Sequence, residues 1–541
     1  MFRDLSPDQR ISPQVKPMRR ASVLLAVVGS CLTSAYSLHA EDPPRSPQPT
    51  PAKAAEGELR RRAMFGAQLA LVTREVRDRQ KLDGDSGVVL EKIFPDTSAA
   101  DGDFKAGDVI LAIGGVKVTG MPMFLQKIED SRAGDVLTLD LVRDGVKAEK
   151  RVTLKEMPRE KGDGYDVIYS SVTSHGARLR TIITCPKAEG RHPAVMLLQG
   201  GHTCFSVDNP VGTPFGFTWV ARSLAKHGYV TMRIERPGCG DSEGGPLRDV
   251  DFDTELDGYK VALRALKQLD FVDADNVFLF GHSQGGINAP LMAVEIPVRG
   301  IAVFGTVLGG GIEGMLGQRR RMAMLDGTNP AEVDREVLTQ GRFWYPLLVE
   351  KKTPREIREQ HPELPKRVWE QWVMDDKYVG GRHYKFYHQG ADKNLVDAWT
   401  KVAATRLLIG GKDSSSKASK EPLQPRVLAI WGTSDWLVDR AGNAWIAEIV
   451  NRVKPGNGKF VAMESIDHFF LRTATPEESY RYFKPVNGMP PTEFNSAIVE
   501  TLCAWLDETA GREKKGPEKP PNESKTAAIA EVSEMALSTF L

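Results

Sequence analysis

The stretch VFLFGHSQGGINAP, residues 277–290, sets four consecutive apolar residues against a serine held between glycines. An apolar run of strand length, a tight turn and a helix-compatible continuation read as strand, turn and helix. In that setting G-x-S-x-G is a nucleophile elbow. The turn is so sharp that the residue at its apex takes a strained backbone conformation, and the flanking glycines leave room for neighbouring chain. Ser283 is thereby pushed out of the sheet, and the N–H of Gln284, at the start of the next helix, can face an oxyanion. A chance match in a surface loop would lack the strand and the helix.

A serine alone is a weak nucleophile and needs a base oriented by an acid. The run RVLAIWG (426–432) ends in TSDWLVD, which puts Asp435 just past a strand's C-terminal end, where parallel sheets carry their sites. Farther on, FVAMESIDHFF (460–470) is strand-like and ends in a loop with His468. The chain order Ser283, Asp435, His468 suits an elbow-bearing sheet. Asp439 is a second candidate acid, Asp467 reads as a turn carboxylate, and His282 as a packing residue of the elbow.

Working outward, AVMLLQGG (194–201), YVTMRIE (229–235), NVFLFG (276–281), GIAVFG (300–305) and RVLAIWG are near-continuous apolar runs, as expected for strands covered on both faces. Between the second and third, Leu256, Tyr259, Leu263, Leu266 and Leu269 recur at spacings of three and four, the stripe of a helix packed on a sheet. From about residue 165 strands alternate with helical stretches, which predicts a mostly parallel sheet with helices on its faces. About 110 residues, 315–425, separate two of these strands. That is too long for a plain loop and predicts a helical cap. Trp344, Tyr345, Trp369, Trp372, Tyr384, Phe386, Tyr387 and Trp399 fall within it, and most are expected to pack the cap's own core, the rest to line a pocket.

These segments, with LLQGGH (197–202) and the turn RIERPGCGDSEGGP (233–246), resemble the α/β-hydrolase fold over residues 165–508, and most of all exported bacterial esterases and related serine peptidases. The resemblance implies acyl transfer with Ser283 as nucleophile, His468 as base and Asp435 as acid. It implies a second oxyanion N–H, beside that of Gln284, from Gly201 or His202. It implies neither a metal nor an organic cofactor, and the chain has no HExxH, no paired CxxC and no phosphate-loop lysine near Gly200. In the family's sheet Cys204 and Cys239 follow neighbouring strands, so they either pair or remain buried thiols.

A smaller unit precedes this domain. FGAQL (65–69), GVVLEKIFPDTSAA (87–100), KAGDVILAIGGVKV (105–118) and LVRDGVKAEKRVTL (141–154) occur in the order of a bacterial PDZ domain of the kind attached to exported proteases, and resemble one over residues 60–157. The resemblance implies that the loop Phe65, Gly66, Ala67, Gln68 and Leu69 presents N–H groups to a peptide carboxylate, and that the next strand accepts the peptide by edge addition. The loop departs from the commonest glycine pattern, and packing on the neighbouring domain is the alternative role. The expected fold class is therefore an α/β-hydrolase sheet with a helical cap insertion, preceded by a small, mostly-β PDZ-like domain.

The chain has 541 residues, 41% of them hydrophobic, which is long and apolar enough for more than one packed core. Its 72 Lys and Arg against 71 Asp and Glu give no electrostatic reason for nucleic acid or an anionic membrane as partner. Residues 1–40 read as a leader, with Met18-Arg19-Arg20 as the positive start, ASVLLAVVG as the apolar segment and Ala40 as the last residue before cleavage. Export to the periplasm or the medium follows. VVGSC ending at Cys31 is an alternative lipoprotein box, and membrane attachment is expected only through Cys31 or an uncleaved signal. Residues 41–59 are a proline-rich linker and 509–541 a low-complexity tail. Three functions compete: a carboxylic ester hydrolase, a serine peptidase or aminopeptidase fed with peptide by the PDZ unit, and a binding protein on a hydrolase scaffold. The complete Ser-Asp-His set argues against the third. No acidic cluster for a substrate amino terminus is evident, which favours a small ester over a peptide substrate.

Overall fold

The computed structural model describes residues 59–513 except 202, 211–215, 309–310, 408–422 and 483–492. The leader with Cys31, the linker up to residue 58, His202 and the tail from residue 514 lie outside the described residues.

An eight-stranded sheet organises the larger domain. Its order is Gly458–Met463, Arg426–Gly432, Gly300–Phe304, Val272–His282, His192–Leu198, Val230–Ile234, Ala177–Pro186 and Tyr165–Ser174. The first six strands run parallel, and the last two join the edge antiparallel. That edge hairpin went unread in the sequence. Side chains alternate between faces with a period of two. Val195 and Leu197 enter one core with the helices Phe217–Lys226 and Ala497–Ala510, while Ala194, Met196 and Leu198 enter the other with Phe252–Leu266, Gln284–Ala293 and Arg440–Val453. Both faces being covered, the strands read as near-continuous apolar runs. Residues 277–280 are fully buried, and each contributes about 1.5–3 kcal/mol through removal of its side chain from water. In the helix Phe252–Leu266 the expected stripe is buried at Leu256, Tyr259, Leu263 and Leu266. Leu269 lies past its end in a turn.

The chain leaves His192–Leu198 for the strand on one side, then returns through Val272–His282 on the other. Such a reversal of strand order opens a crevice at the C-terminal ends of the strands. Ser283 follows directly on Val272–His282 at that point.

The cap is made of the helices Gly311–Leu325, Pro330–Leu348, Pro354–Gln360, Lys366–Trp372, Tyr384–Ala391 and Leu395–Ala404, with a small three-stranded sheet between the fourth and fifth. Trp344, Phe386, Tyr387 and Trp399 are buried in a cluster continuous with the main core, and Trp369, Trp372 and Tyr384 pack against it. Of the eight cap aromatics only Tyr345 stands well out, at 49% exposure. Seven of these rings build the cap, while Tyr345 lines a surface hollow of about 460 Å³ with Leu316, Val337 and Leu338.

The smaller domain is a five-stranded antiparallel path, Ala67–Leu71, Val88–Ile93, Val109–Ile113, Val136–Arg143 and Val146–Thr153, with Val116–Lys117 added to the third strand. Leu137, Leu139 and Leu141 point into its core with Phe65, Phe104 and Phe124. Ala67–Leu71 is an edge strand, and the helix Met121–Glu129 lies near it. Among the described residues, no helix is long and apolar enough to cross a membrane.

The two domains meet through buried charge. Arg61 is 4% exposed and donates to Asp241 Oδ2 at 2.7 Å and to Met157 O at 3.0 Å, with an ion pair to Asp208 Oδ2 at 2.5 Å. The Arg62 N–H donates to Asp241 Oδ1 at 2.8 Å, and Arg180 reaches back from the larger domain to Leu59 O at 3.1 Å. Burial alone pushes the Asp241 carboxyl up, but Arg61 and the Arg62 N–H hold it below its ordinary value.

Candidate active site

Ser283 takes φ +51° and ψ −117°. This is a sparsely populated conformation for a residue with a side chain, costing about 1–3 kcal/mol, and it persists only where its surroundings over-determine it. Here the Ser283 N–H donates to Phe304 O at 3.0 Å, and Thr306 Oγ1 donates to Ser283 O at 2.9 Å. Asn443 Nδ2 in turn donates to Thr306 O at 2.9 Å. The glycines of the motif are sterically required: a Cβ on Gly285 would stand 1.9 Å from Leu198 O, and one on Gly281 would stand 2.5 Å from Gly285 O.

Asp435 and His468 meet beside Gly305, the residue after the Phe304 carbonyl that the Ser283 N–H bonds. His468 Nδ1 lies 2.8 Å from Asp435 Oδ2, and both residues are buried. Asp435 Oδ1 accepts from the N–H groups of Leu437 at 2.9 Å and Val438 at 3.1 Å, so the carboxylate is fixed by its own turn. A Cβ on Gly305 would stand 3.0 Å from both Asp435 Oδ2 and His468 Nδ1. Asp439 is placed elsewhere: it caps the helix Arg440–Val453 by accepting from the Gly442 N–H at 2.7 Å. Asp467 is a turn carboxylate, accepting from Phe469 N–H, Leu471 N–H and Ser479 Oγ, and burial pushes it up to about 6. His282 Nε2 is 2.8 Å from His468 O, and its ring lies 4.7 Å from that of His468. Burial and the His468 ring hold His282 well below its ordinary value, so it stays a neutral packing and hydrogen-bonding residue.

On the oxyanion side, Gln284 begins the helix Gln284–Ala293, so its N–H has no carbonyl acceptor within that helix. Gly201 has φ +77°. His202 lies outside the described residues. Gly200, not singled out in the sequence, is the residue pressed on the nucleophile: a Cβ there would stand 2.7 Å from Ser283 Cβ. Cys204 and Cys239 form a disulfide, resolving the alternative left open above; it joins the loop after His192–Leu198 to the turn after Val230–Ile234.

The structure shortens the expected carboxylate loop. Only Phe65 and Gly66 lie outside regular structure, and Ala67, Gln68 and Leu69 already pair with Ile93, Lys92 and Leu90. The Phe65 ring is committed to the core, 5.3 Å from the rings of both Phe104 and Phe124. Gly66 has φ +85°, and a Cβ there would collide with Thr97 at 2.1 Å. The Phe65 and Gly66 carbonyls already accept from the Ala99 and Phe94 N–H groups at 2.8 and 3.1 Å, so what remains for a ligand is the N–H side of that dipeptide and the outer edge of Ala67–Leu71.

Sequence reasoning missed the polar residues that hold this arrangement: Thr306, Asn443, Arg236 and Glu255. A lone charged or amide residue carries no periodic signal, and only its burial reveals its role. Among the described residues, no group of three or more His, Cys, Asp or Glu is placed to hold a metal.

Comparison with known proteins adds the following. Residues 191–472, more than half of the 541, match the model of the alpha/beta hydrolase family, and residues 65–154 match that of the PDZ domain. A curated protein of Pseudomonas savastanoi pv. phaseolicola, named "Probable periplasmic serine endoprotease DegP-like", is 26% identical over 198 residues, 33% of this chain and 41% of that protein. The periplasmic serine endoprotease DegP of Escherichia coli K12 is 25% identical over 107 residues, 20% of this chain and 23% of its own. The chain thus spans less than half the length of these relatives. Among solved structures, Est1E of Butyrivibrio proteoclasticus with ferulic acid bound is 15% identical, covering 63% of this chain and 99% of its own, at a TM-score of 0.38. The hyperthermophilic esterase of Pyrobaculum calidifontis is 15% identical, with 65% and 87% coverage and a TM-score of 0.35.

Proposed function

Because the chain belongs to the alpha/beta hydrolase family, we propose that it is an exported serine hydrolase that cleaves carboxylic esters through an acyl-enzyme. What supports this reading is the 2.8 Å contact between His468 Nδ1 and a fully bonded Asp435, together with a serine at positive φ in the elbow motif. Ser283 Oγ attacks the ester carbonyl while His468 Nε2 takes its proton. Asp435 keeps Nδ1 protonated and stabilises the imidazolium. The negative charge on the tetrahedral carbonyl oxygen falls to the N–H groups of Gln284 and of the Gly201-His202 loop. Collapse expels the alcohol, which receives the proton from His468, and water releases the acid by the same two steps in reverse order. No residue in this scheme calls for a metal or an organic cofactor.

The test is turnover of a short-chain aryl ester by the chain and by Ser283→Ala. Loss of roughly a thousandfold or more is expected for removal of a triad member. Undiminished turnover in the variant would overturn the assignment.

A second reading, a serine peptidase, is favoured by the unpaired outer edge of Ala67–Leu71, which suits an extended peptide. The periplasmic endoprotease names of the curated relatives point the same way and also support export. Gly66→Ala, which forces a Cβ against Thr97, tests it without removing Arg61 from its carboxylates. Under the esterase reading, aryl ester turnover stays within about threefold, the range of a remote substitution. Hydrolysis of a peptide amide that collapses in Gly66→Ala while aryl ester turnover is kept would establish the peptidase instead.

A further inference from the structure

Glu255 takes no part in the acyl-transfer scheme, yet it joins the residue after the nucleophile to two other pieces of chain. It lies in the first turn of the helix Phe252–Leu266 and is only 2% exposed. Its Oε1 accepts from Gln284 Nε2 at 3.3 Å and lies 3.4 Å from Arg236 Nε. Its Oε2 accepts from Arg382 Nη2 at 2.8 Å. Gln284 is the residue after the nucleophile. Arg236 belongs to the turn after Val230–Ile234, and Arg382 belongs to the cap.

Arg236 extends this reach to the oxyanion loop. Its Nη2 donates to Gly200 O at 2.5 Å and to Gln199 O at 3.4 Å, and its Nη1 donates to Thr203 O at 3.1 Å. A trans peptide unit is planar, with its C=O and N–H pointing in opposite directions. Fixing the Gly200 carbonyl toward Arg236 therefore fixes the Gly201 N–H away from it. The same peptide adjoins Gly200, whose Cα packs on Ser283. A positive φ at Gly201 leaves the following segment poorly specified by its own sterics. The guanidinium supplies what the glycines cannot. Arg382 makes the cap a party to this arrangement, since its Nη2 also donates to Val250 O at 2.9 Å and its guanidinium stacks 3.9 Å from the Phe386 ring centre.

We propose that Glu255 is a positioning residue that aligns both halves of the oxyanion hole, Gln284 through its side-chain amide and Gly201 through Arg236, and ties the cap to that alignment through Arg382. The proposal rests on the serine-hydrolase reading. It also selects Gly201 as the second donor. An oxyanion hole acts on the transition state more than on the bound ester, so misalignment should fall on kcat rather than on KM.

The experiment compares the full chain with Glu255→Gln. Active serines are counted by titration with a reactive phosphonate, kcat and KM are read with a short-chain aryl ester, and inhibition is measured with an alkyl boronic acid, which forms a tetrahedral adduct on the serine. Displacement of a catalytic group by a fraction of an ångström to 1 Å predicts a fall of about 10–100-fold in kcat per titrated serine, with KM within threefold. Boronate affinity should weaken by a similar factor. Arg236 and Arg382 share this one carboxylate, so neutralising it leaves two buried cations facing each other. If that prevents folding, Glu255→Gln with Arg382→Gln removes one charge of each sign and carries the same expectations. Wild-type kcat per titrated serine in either folded variant would overturn the proposal. So would a fall in kcat with boronate affinity unchanged, the mark of a merely structural residue. A parent chain whose ester turnover does not depend on Ser283 would instead overturn the underlying reading.

Discussion

Two junctions hold parts onto the central sheet, and both are built from buried arginine, but their charge balance differs. At the PDZ junction Arg61 and Arg180 face Asp208 and Asp241, with Glu235 close behind. At the cap junction Arg236 and Arg382 face Glu255, and a third cation, Arg321, spends its hydrogen bonds on the carbonyls of Trp436 and Leu437 in the loop of Asp435. The first junction sets Arg61, Arg62 and Arg180 among three carboxyls, Asp208, Asp241 and Glu235, whereas the second sets Arg236 and Arg382 on a single one. The guanidinium surplus of the cap junction lies beside the oxyanion loop, where Arg236 holds the Gly200 carbonyl and developing negative charge is welcome. The difference teaches that the larger domain is not self-sufficient: it carries buried carboxylates whose counterion comes from the PDZ side.

The largest expected effect follows from that dependence. Arg61→Ala leaves Asp208 and Asp241 short of a buried partner, and breaking such a pair costs about 3–5 kcal/mol. Arg382→Ala leaves Glu255 still beside Arg236, so the loss there is expected to be about 1–3 kcal/mol, that of a charged hydrogen bond. Urea unfolding of both variants checks the ranking. Equal costs, or the reverse order, would break the comparison.

The crowding of carboxyls at the first junction also predicts a pH response. Glu235 accepts from Ser206 Oγ and, at 2.6 Å, from the Asp241 N–H. Burial is the chief cause that raises it from 4.5 to about 7, with Asp241 and Asp208 adding to the rise and Arg62 and Ser206 opposing it. A carboxyl raised on folding is neutral in the native state. Its contribution is complete below about pH 4.5 and is lost as pH climbs through about 7. Stability should therefore decline between pH 5 and 8, by about 3 kcal/mol at most for this shift. Glu235→Gln should flatten the decline. Melting curves across that range decide it, and an unchanged slope in the variant would remove Glu235 as the cause. The cap junction, held by guanidiniums that stay charged, offers no comparable titration.

These contrasts mark what was legible in the sequence. Ser283, Asp435 and His468 were readable because each follows an apolar strand and the elbow motif fixes their order. The parallel strands announced themselves because burial on both faces leaves few polar residues to interrupt them, Thr231 and Arg233 among the exceptions. The antiparallel edge hairpin, Tyr165–Ser174 with Ala177–Pro186, did not, since its outer strand mixes polar and apolar residues. Nor did the loop at Phe65–Gly66 reveal how soon pairing begins, because Ala67 and Gln68 carry little strand preference of their own. Least legible were the polar residues of both junctions. Glu255, Arg236, Arg382 and Arg61 look like surface charge until the fold removes them from water, and nothing in local periodicity marks which arginine will find which carboxylate.

The smallest effect separates the two candidate acids. Asp439 sits at the rim of the cap junction, its side chain half exposed and 3.9 Å from Arg321 Nη1. It accepts from the Gly442 N–H rather than from His468. Asp439→Ala should therefore cost about 1 kcal/mol, the value of an N-cap, and leave kcat near that of the parent. Asp435→Asn leaves the volume at its site almost unchanged but turns the His468 tautomer, so it should lose activity by about 10⁴-fold with little loss of stability. The two variants thus move stability and rate in opposite proportion. If Asp439→Ala lost the rate and Asp435→Asn kept it, the acid would have to reach His468 from the far side of Arg321, and the loop that Arg321 holds would be the part of the site that rearranges in turnover.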